Sequence, residues 1–118
     1  MSSPQFAALI AEFPEERDTI NRLEKLLGEG QERVVALDRM IGLVEPHSTE
    51  SLALILAELS LANLLRRFVR VESPSNKGGI KDFPTLSDVP ERIYDWRADR
   101  EIDVTPENVH LFFAISEK

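Results

Sequence analysis

The chain has no cysteine, which removes disulfides, thiolate metal centres and cysteine nucleophiles at once. That fits a reducing compartment, and the expected location is the cytoplasm. Histidine occurs twice, as His47 and His110. Neither sits among His, Asp or Glu residues at metal-ligand spacing, so no metal site is expected. Glycine is scarce, at five residues. Its one doublet, Gly78-Gly79 in SNKGGIKD, has its lysine on the wrong side and no following hydroxyl for a Walker loop, so it reads as a turn. No apolar run approaches the ~18 residues of a membrane span. The opening MSSPQFAALIAEF has no basic segment ahead of its apolar residues, so a secretory signal is not expected.

Bases are also short. The chain holds 14 Lys and Arg against 21 Asp and Glu, a net charge of −7. Residues 1–47 carry nine acids and five bases, residues 48–72 three and three, and residues 73–118 nine and six. Acid thus flanks a neutral centre, which disfavours long-range steering toward nucleic acid or an anionic membrane. Carboxylate catalysis needs a cleft and perturbed acidities. Glu15-Glu16 at a helix start and Asp99, Glu101 and Asp103 along a strand read instead as solvated faces. No serine lies in a nucleophile elbow. With these chemistries missing, neither an enzyme nor a cofactor is expected.

What is present is an apolar fraction of 42% in 118 residues, enough for one domain with a core. The first half reads as helices. Ser3-Pro4 is a cap and first-turn proline for a short helix to about Ala11. Phe13-Pro14 restarts the chain, and Glu15, Glu16 and Asp18 suit a helix N-terminus. Ile20, Leu23 and Leu27 follow at helical spacing until Gly28 and Gly30. Val34, Leu37, Ile41 and Val44 form a second stripe ended by Pro46. Ser48 caps a third helix whose leucines (Leu52, Leu54, Leu56, Leu59, Leu61, Leu64 and Leu65, with Ile55) surround most of its circumference. Such a helix is buried, in this chain or in a partner.

The second half changes period. Val69 and Val71 alternate with charged residues and predict a strand. Residues 73–99 read as a long ordered loop that Ile80, Phe83 and Leu86 could anchor, with a helical turn after Val89-Pro90 carrying Tyr94 and Trp96. Ile102 and Val104 predict a second strand. Thr105-Pro106-Glu107-Asn108 suits a turn. Val109, Leu111, Phe113 and Ile115 then alternate on a returning strand, preferred over a helix from Pro106 because β-branched and aromatic residues dominate.

Helices, strand, loop and hairpin in that order, over about residues 14–115, resemble a winged-helix domain. The resemblance implies an α+β fold: three to four N-terminal helices packed on a small antiparallel sheet. The length predicts one domain of residues 1–118, with residues 1–12 as a short helix that could serve as an interaction arm. A winged helix that reads DNA has a polar, basic recognition helix. Here the matching helix, about residues 49–65, is apolar with bases only at its C-terminal end.

Three arginines in LLRRFVRV pose the sharpest question. Arg66, Arg67 and Arg70, with Lys77 and Lys81 in the loop, could grip phosphates. Alternatively Arg66 and Arg70 could face Glu101 and Asp103 across a ladder, and this pairing is preferred. Tyr94, Trp96 and Arg97 are of the types enriched at interface hot spots, although Trp96 could equally lid the core. Phe112 on the outer face of a terminal edge strand would suit strand addition, and Phe6 on the first helix could dock on the domain or on another chain. The expected function is therefore a non-enzymatic protein-interaction module, such as an adaptor, accessory subunit or small inhibitor. Its partner would be a protein with a basic or neutral surface, with no membrane partner. A homo-oligomer through the N-terminal helices is one version, and a nucleic-acid-binding regulator is the alternative.

Overall fold

The structure is a computed structural model that describes residues 4–29, 33–75 and 77–116. Ser3 and Gly30, read above as a cap and a stop, lie outside the described residues. Four helices, α1 (Pro4–Glu12), α2 (Arg17–Glu29), α3 (Leu37–Val44) and α4 (Thr49–Leu61), occupy the N-terminal half. The strands are β1 (Val34–Ala36), β2 (Leu65–Glu72), β3 (Gly79–Phe83), β4 (Arg92–Asp95), β5 (Arg100–Asp103) and β6 (Val109–Ile115). The class is α+β. A four-stranded antiparallel sheet has the order β1-β6-β2-β3, and β4 and β5 pair separately. This arrangement is compatible with a winged-helix-like architecture.

Helix boundaries follow local chemistry. Ser48 accepts a hydrogen bond from the Ser51 amide and caps α4 as the sequence predicts. At the other end Asn63 takes the left-handed conformation (φ 63°). The amides of Asn63 and Leu64 turn back to the carbonyls of Ser60 and Leu59, a Schellman closure. The chain passes directly into β2, so α4 and the sheet are joined without slack.

One face of the sheet meets the helices. Leu65, Val69 and Val71 of β2 stand opposite Ile115, Leu111 and Val109 of β6, and Val35 of β1 stands opposite Phe113. Directly opposed residues share a face. Val35, Leu65, Phe113 and Ile115 join Phe6, Leu9, Ile20, Leu23, Met40, Val44, Leu52, Ile55, Leu56 and Leu59 in one buried core.

Three sequence expectations change. Val34 is not on a helix: it begins β1, opposite Ala114, and is exposed. A three-residue ladder to β6 takes Val34 out of the stripe, while Leu37, Ile41 and Val44 form α3 as the spacing predicts. Residues 73–99 are not a plain loop. Residues 79–83 pair with β2, and Arg92–Asp95 form a strand in place of the expected helical turn, with Ile93 opposite Ile102. Leu86 is no anchor, being 66% exposed. Finally, β5 and β6 do not form a hairpin. β5 pairs with the near β4 across a short turn, whereas β6 matches seven residues of β2. Asn108 sits at that crossing: its side chain accepts from the Thr105 amide at 2.7 Å and donates to the Glu72 carbonyl at 3.3 Å.

Candidate functional site

Helix α4 buries Leu52, Ile55, Leu56 and Leu59. The apolar residues on its remaining circumference are left outside the core: Leu54 is 58% and Leu61 81% exposed. Between α4 and the sheet a groove opens over β2 and β6. Ala53, Ala57, Ser60 and Leu61 form its helical wall, and Arg67, Leu111 and Phe113 form its floor, enclosing about 500 Å³. A second hollow of about 360 Å³ shares Arg67, Pro84 and Leu111 and continues past Val69 to Leu86. The surface is therefore apolar and continuous, with exposed leucines on its rim and one cation in its floor. Arg67 has no hydrogen-bond or ion-pair partner among the described residues.

The other two arginines of the motif lie elsewhere. Arg66 and Arg70 are on the opposite face of the sheet from Arg67, as strand alternation requires. Neither meets Glu101 or Asp103, because β5 belongs to the other sheet. Arg70 instead makes two hydrogen bonds to Asp82 of β3, at 2.8 and 3.2 Å. The Asp82 hydrogen bond, opposed by partial burial and aided by the charges of Asp82 and Glu72, raises the Arg70 pKa. The pair is partly exposed, so its contribution is about 0.3–1 kcal/mol. Arg66 lies 5.1 Å over the Phe68 ring, and Arg70 lies 4.6 Å over Phe112. Phe68 and Phe112 stack with centroids 5.6 Å apart. This face is an aromatic pair roofed by guanidinium groups. Beside it, His110 lies 3.2 Å from Glu72.

Phe112 is thus not on an edge: β6 runs between β1 and β2, and the edges of the sheet are β1 and β3. Phe6 is buried in the core rather than offered outward. The reason is that Phe6 and Leu9 share one side of α1, which folds back on α2. Lys77 is exposed in a left-handed turn (φ 60°), and Lys81 lies over the Phe83 ring at 5.4 Å.

Tyr94, Trp96 and Arg97 sit on and just after β4. Trp96 donates its indole N–H to the Ile80 carbonyl and Arg97 donates to the Gly79 carbonyl. The Arg97 guanidinium lies 4.5 Å over the Trp96 ring. These two side chains thus bond backbone carbonyls of edge strand β3. Tyr94 bonds Asp99 across the turn, and that bond chiefly raises its pKa. Both aromatics remain about half exposed. Beneath them Asp95 is fully buried, accepting from the Ser73 hydroxyl and the Arg97 and Ala98 amides. Burial alone would raise its pKa. The bonds from Ser73, Ala98 and Arg97, with the Arg100 charge, outweigh that and hold the carboxyl below its ordinary value.

The groove owes its position to residues with no sequence motif. Glu16, Thr19 and Arg22 recur every three residues along one side of the chain entering and forming α2. Glu16 accepts from the His47 and Ser48 amides, Thr19 donates to the Glu45 carbonyl, and Arg22 donates to the Val44 carbonyl. Together they clamp the turn between α3 and α4, in which Glu45 is left-handed (φ 47°). A polar spacing of three beside Ile20 and Leu23 is the signal that could have exposed the clamp. Two groove residues of α4, Ala57 and Leu61, share a stripe at helical spacing with Glu50 and Leu54, which is the signal that could have found them.

Compared with known protein families, curated proteins and solved structures, the chain matches none. Among the described residues, no helix is long and apolar enough to cross a membrane.

Proposed function

We propose that this chain is a non-enzymatic protein-interaction module that receives an apolar element of a polypeptide in the groove between α4 and the sheet. The observation that carries the reading is the exposure of Leu61, which lines that groove, and of Leu54 on the same stripe of α4. Exposed apolar residues continuous with a concavity mark interaction sites. The connectivity supports a winged-helix-like reading in which α4 stands where a recognition helix would. Its outward residues are apolar and acidic, which favours a protein partner over a phosphate backbone. The separation of Arg66 and Arg70 from Arg67 on opposite faces weighs the same way. An amphipathic helix laid into a groove is the recognition mode that fits the shape.

The test uses labelled helical peptides with leucines at i, i+4 and i+7, one carrying glutamate and one lysine at its N-terminal end, followed by fluorescence anisotropy. Saturable binding should weaken at least ~10-fold in Ala57→Trp, which fills the groove from an exposed position. Failure of both peptides to bind the monomeric chain, or binding indifferent to Ala57→Trp, would refute the reading. Salt-sensitive binding of arbitrary duplex DNA would return Arg66, Arg67, Arg70, Lys77 and Lys81 to the foreground.

A further inference from the structure

The groove and the helix beside it are complementary to each other. Glu50, Leu54, Ala57 and Leu61 are spaced i, i+4, i+7 and i+11 and lie along one stripe of α4. Ala57 and Leu61 also line the groove, together with Ala53 and Ser60. Leu54 and Leu61 are projecting side chains. Ala53, Ala57 and Ser60 are small ones, which allow helix axes to approach to the short end of the usual ~8–10 Å. The charges are complementary too. Arg67 in the floor and Glu50 in the first turn of α4 are both exposed, and neither has a partner among the described residues.

We propose, resting on the reading of the groove as a protein-binding site, that its occupant is α4 of a second copy of this chain. The two helices cross antiparallel at Ala57, and Glu50 of each copy meets Arg67 of the other. An antiparallel crossing at Ala57 places positions equally far before and after it opposite each other. Glu50 lies about 10 Å toward the N-terminus at 1.5 Å per residue. It therefore falls beside the C-terminal end of the opposing α4, where Ser60 and Leu61 line the groove that Arg67 also lines. The contact is isologous, so one ridge, one hollow and one charge pair per copy are used twice. Glu50 and Arg67 give each copy one charge of either sign at the contact, so the charge pair is neutral, while Arg66 and Arg70 lie on the other face of the sheet and take no part.

The experiment is light scattering on the full chain over a wide concentration series at physiological salt. The mass should climb from 13.4 kDa toward twice that value. Leu61→Asp, at an exposed position whose folding circular dichroism verifies, should remain at the monomer mass. Glu50→Arg and Arg67→Glu should each weaken association at least ~10-fold, and the double variant should recover to within about threefold of the original. A monomer at every concentration overturns the proposal, as does a dimer indifferent to Leu61→Asp or to both charge reversals. A monomer that still binds a helical peptide in the groove retires the second copy and keeps the interaction reading. A monomer that binds neither peptide retires both.

Discussion

Replacing Glu16 by alanine should be among the most damaging single substitutions in this protein. Its carboxylate is fully buried and accepts from two backbone amides, His47 at 2.9 Å and Ser48 at 3.1 Å. Both amides lie at the entrance to α4, where the helix dipole also favours negative charge. Hydrogen bonds to a charged group contribute ~1.5–3 kcal/mol each, and removing the acceptor leaves the donors unsatisfied. Allowing for partial rehydration of the freed amides, the loss is about 3–5 kcal/mol. For a chain of 118 residues, total stability is about 6–15 kcal/mol, so this one side chain accounts for a large share. Urea unfolding followed by far-ultraviolet circular dichroism should show a lower midpoint at unchanged slope. Thermal unfolding should fall by roughly 10–25 °C. Glu15→Ala, one residue earlier and exposed, is the control and should stay within about 0.5 kcal/mol of the parent. If Glu16→Ala costs under about 1 kcal/mol, the clamp does not hold α4 in place and the account of the groove's position fails with it.

Two further outcomes concern the β4–β5 hairpin. Asp95 has a folded pKa below its ordinary 3.8, so its contribution is full above that value and is lost as pH falls through the lower folded value. Acid titration should therefore release the hairpin, read as a change in Trp96 fluorescence beginning below about pH 4, and Asp95→Asn should show the released signal already at neutral pH; a titration identical in parent and variant would refute the assignment. Gly78→Ala places a Cβ 2.5 Å from the Arg97 guanidinium carbon, so Arg97 must swing off Gly79 and Trp96. Trp96 emission should shift while the unfolding midpoint moves by under about 1 kcal/mol, because the obstacle is the end of a flexible side chain; unaltered emission would refute it.

The sequence by itself determined the elements whose signals are local. Ser48 and the leucine-dense run dictated α4 as far as Leu61, because a cap and a 3.6-residue period act within one or two turns, whereas Leu64 and Leu65, counted with that helix, lie in the turn and at the start of β2. The alternation of Val109, Leu111, Phe113 and Ile115 dictated β6, because side chains on a strand must point to opposite faces in turn. The same alternation already separated Arg67 from Arg66 and Arg70. Tertiary structure alone decided which strands pair. That is why Arg70 met Asp82 instead of Glu101 or Asp103, why Phe112 left the edge, and why a three-residue β1 replaced the start of a helical stripe. It also decided which leucines of α4 stayed outside. A helix apolar on every side carries no mark of the side its own sheet will cover, and the remainder becomes visible only when the area of that sheet and the clamp by Glu16, Thr19 and Arg22 are known. Pairing and coverage depend on groups distant in sequence, whose energies are set by who arrives opposite and not by what stands next along the chain.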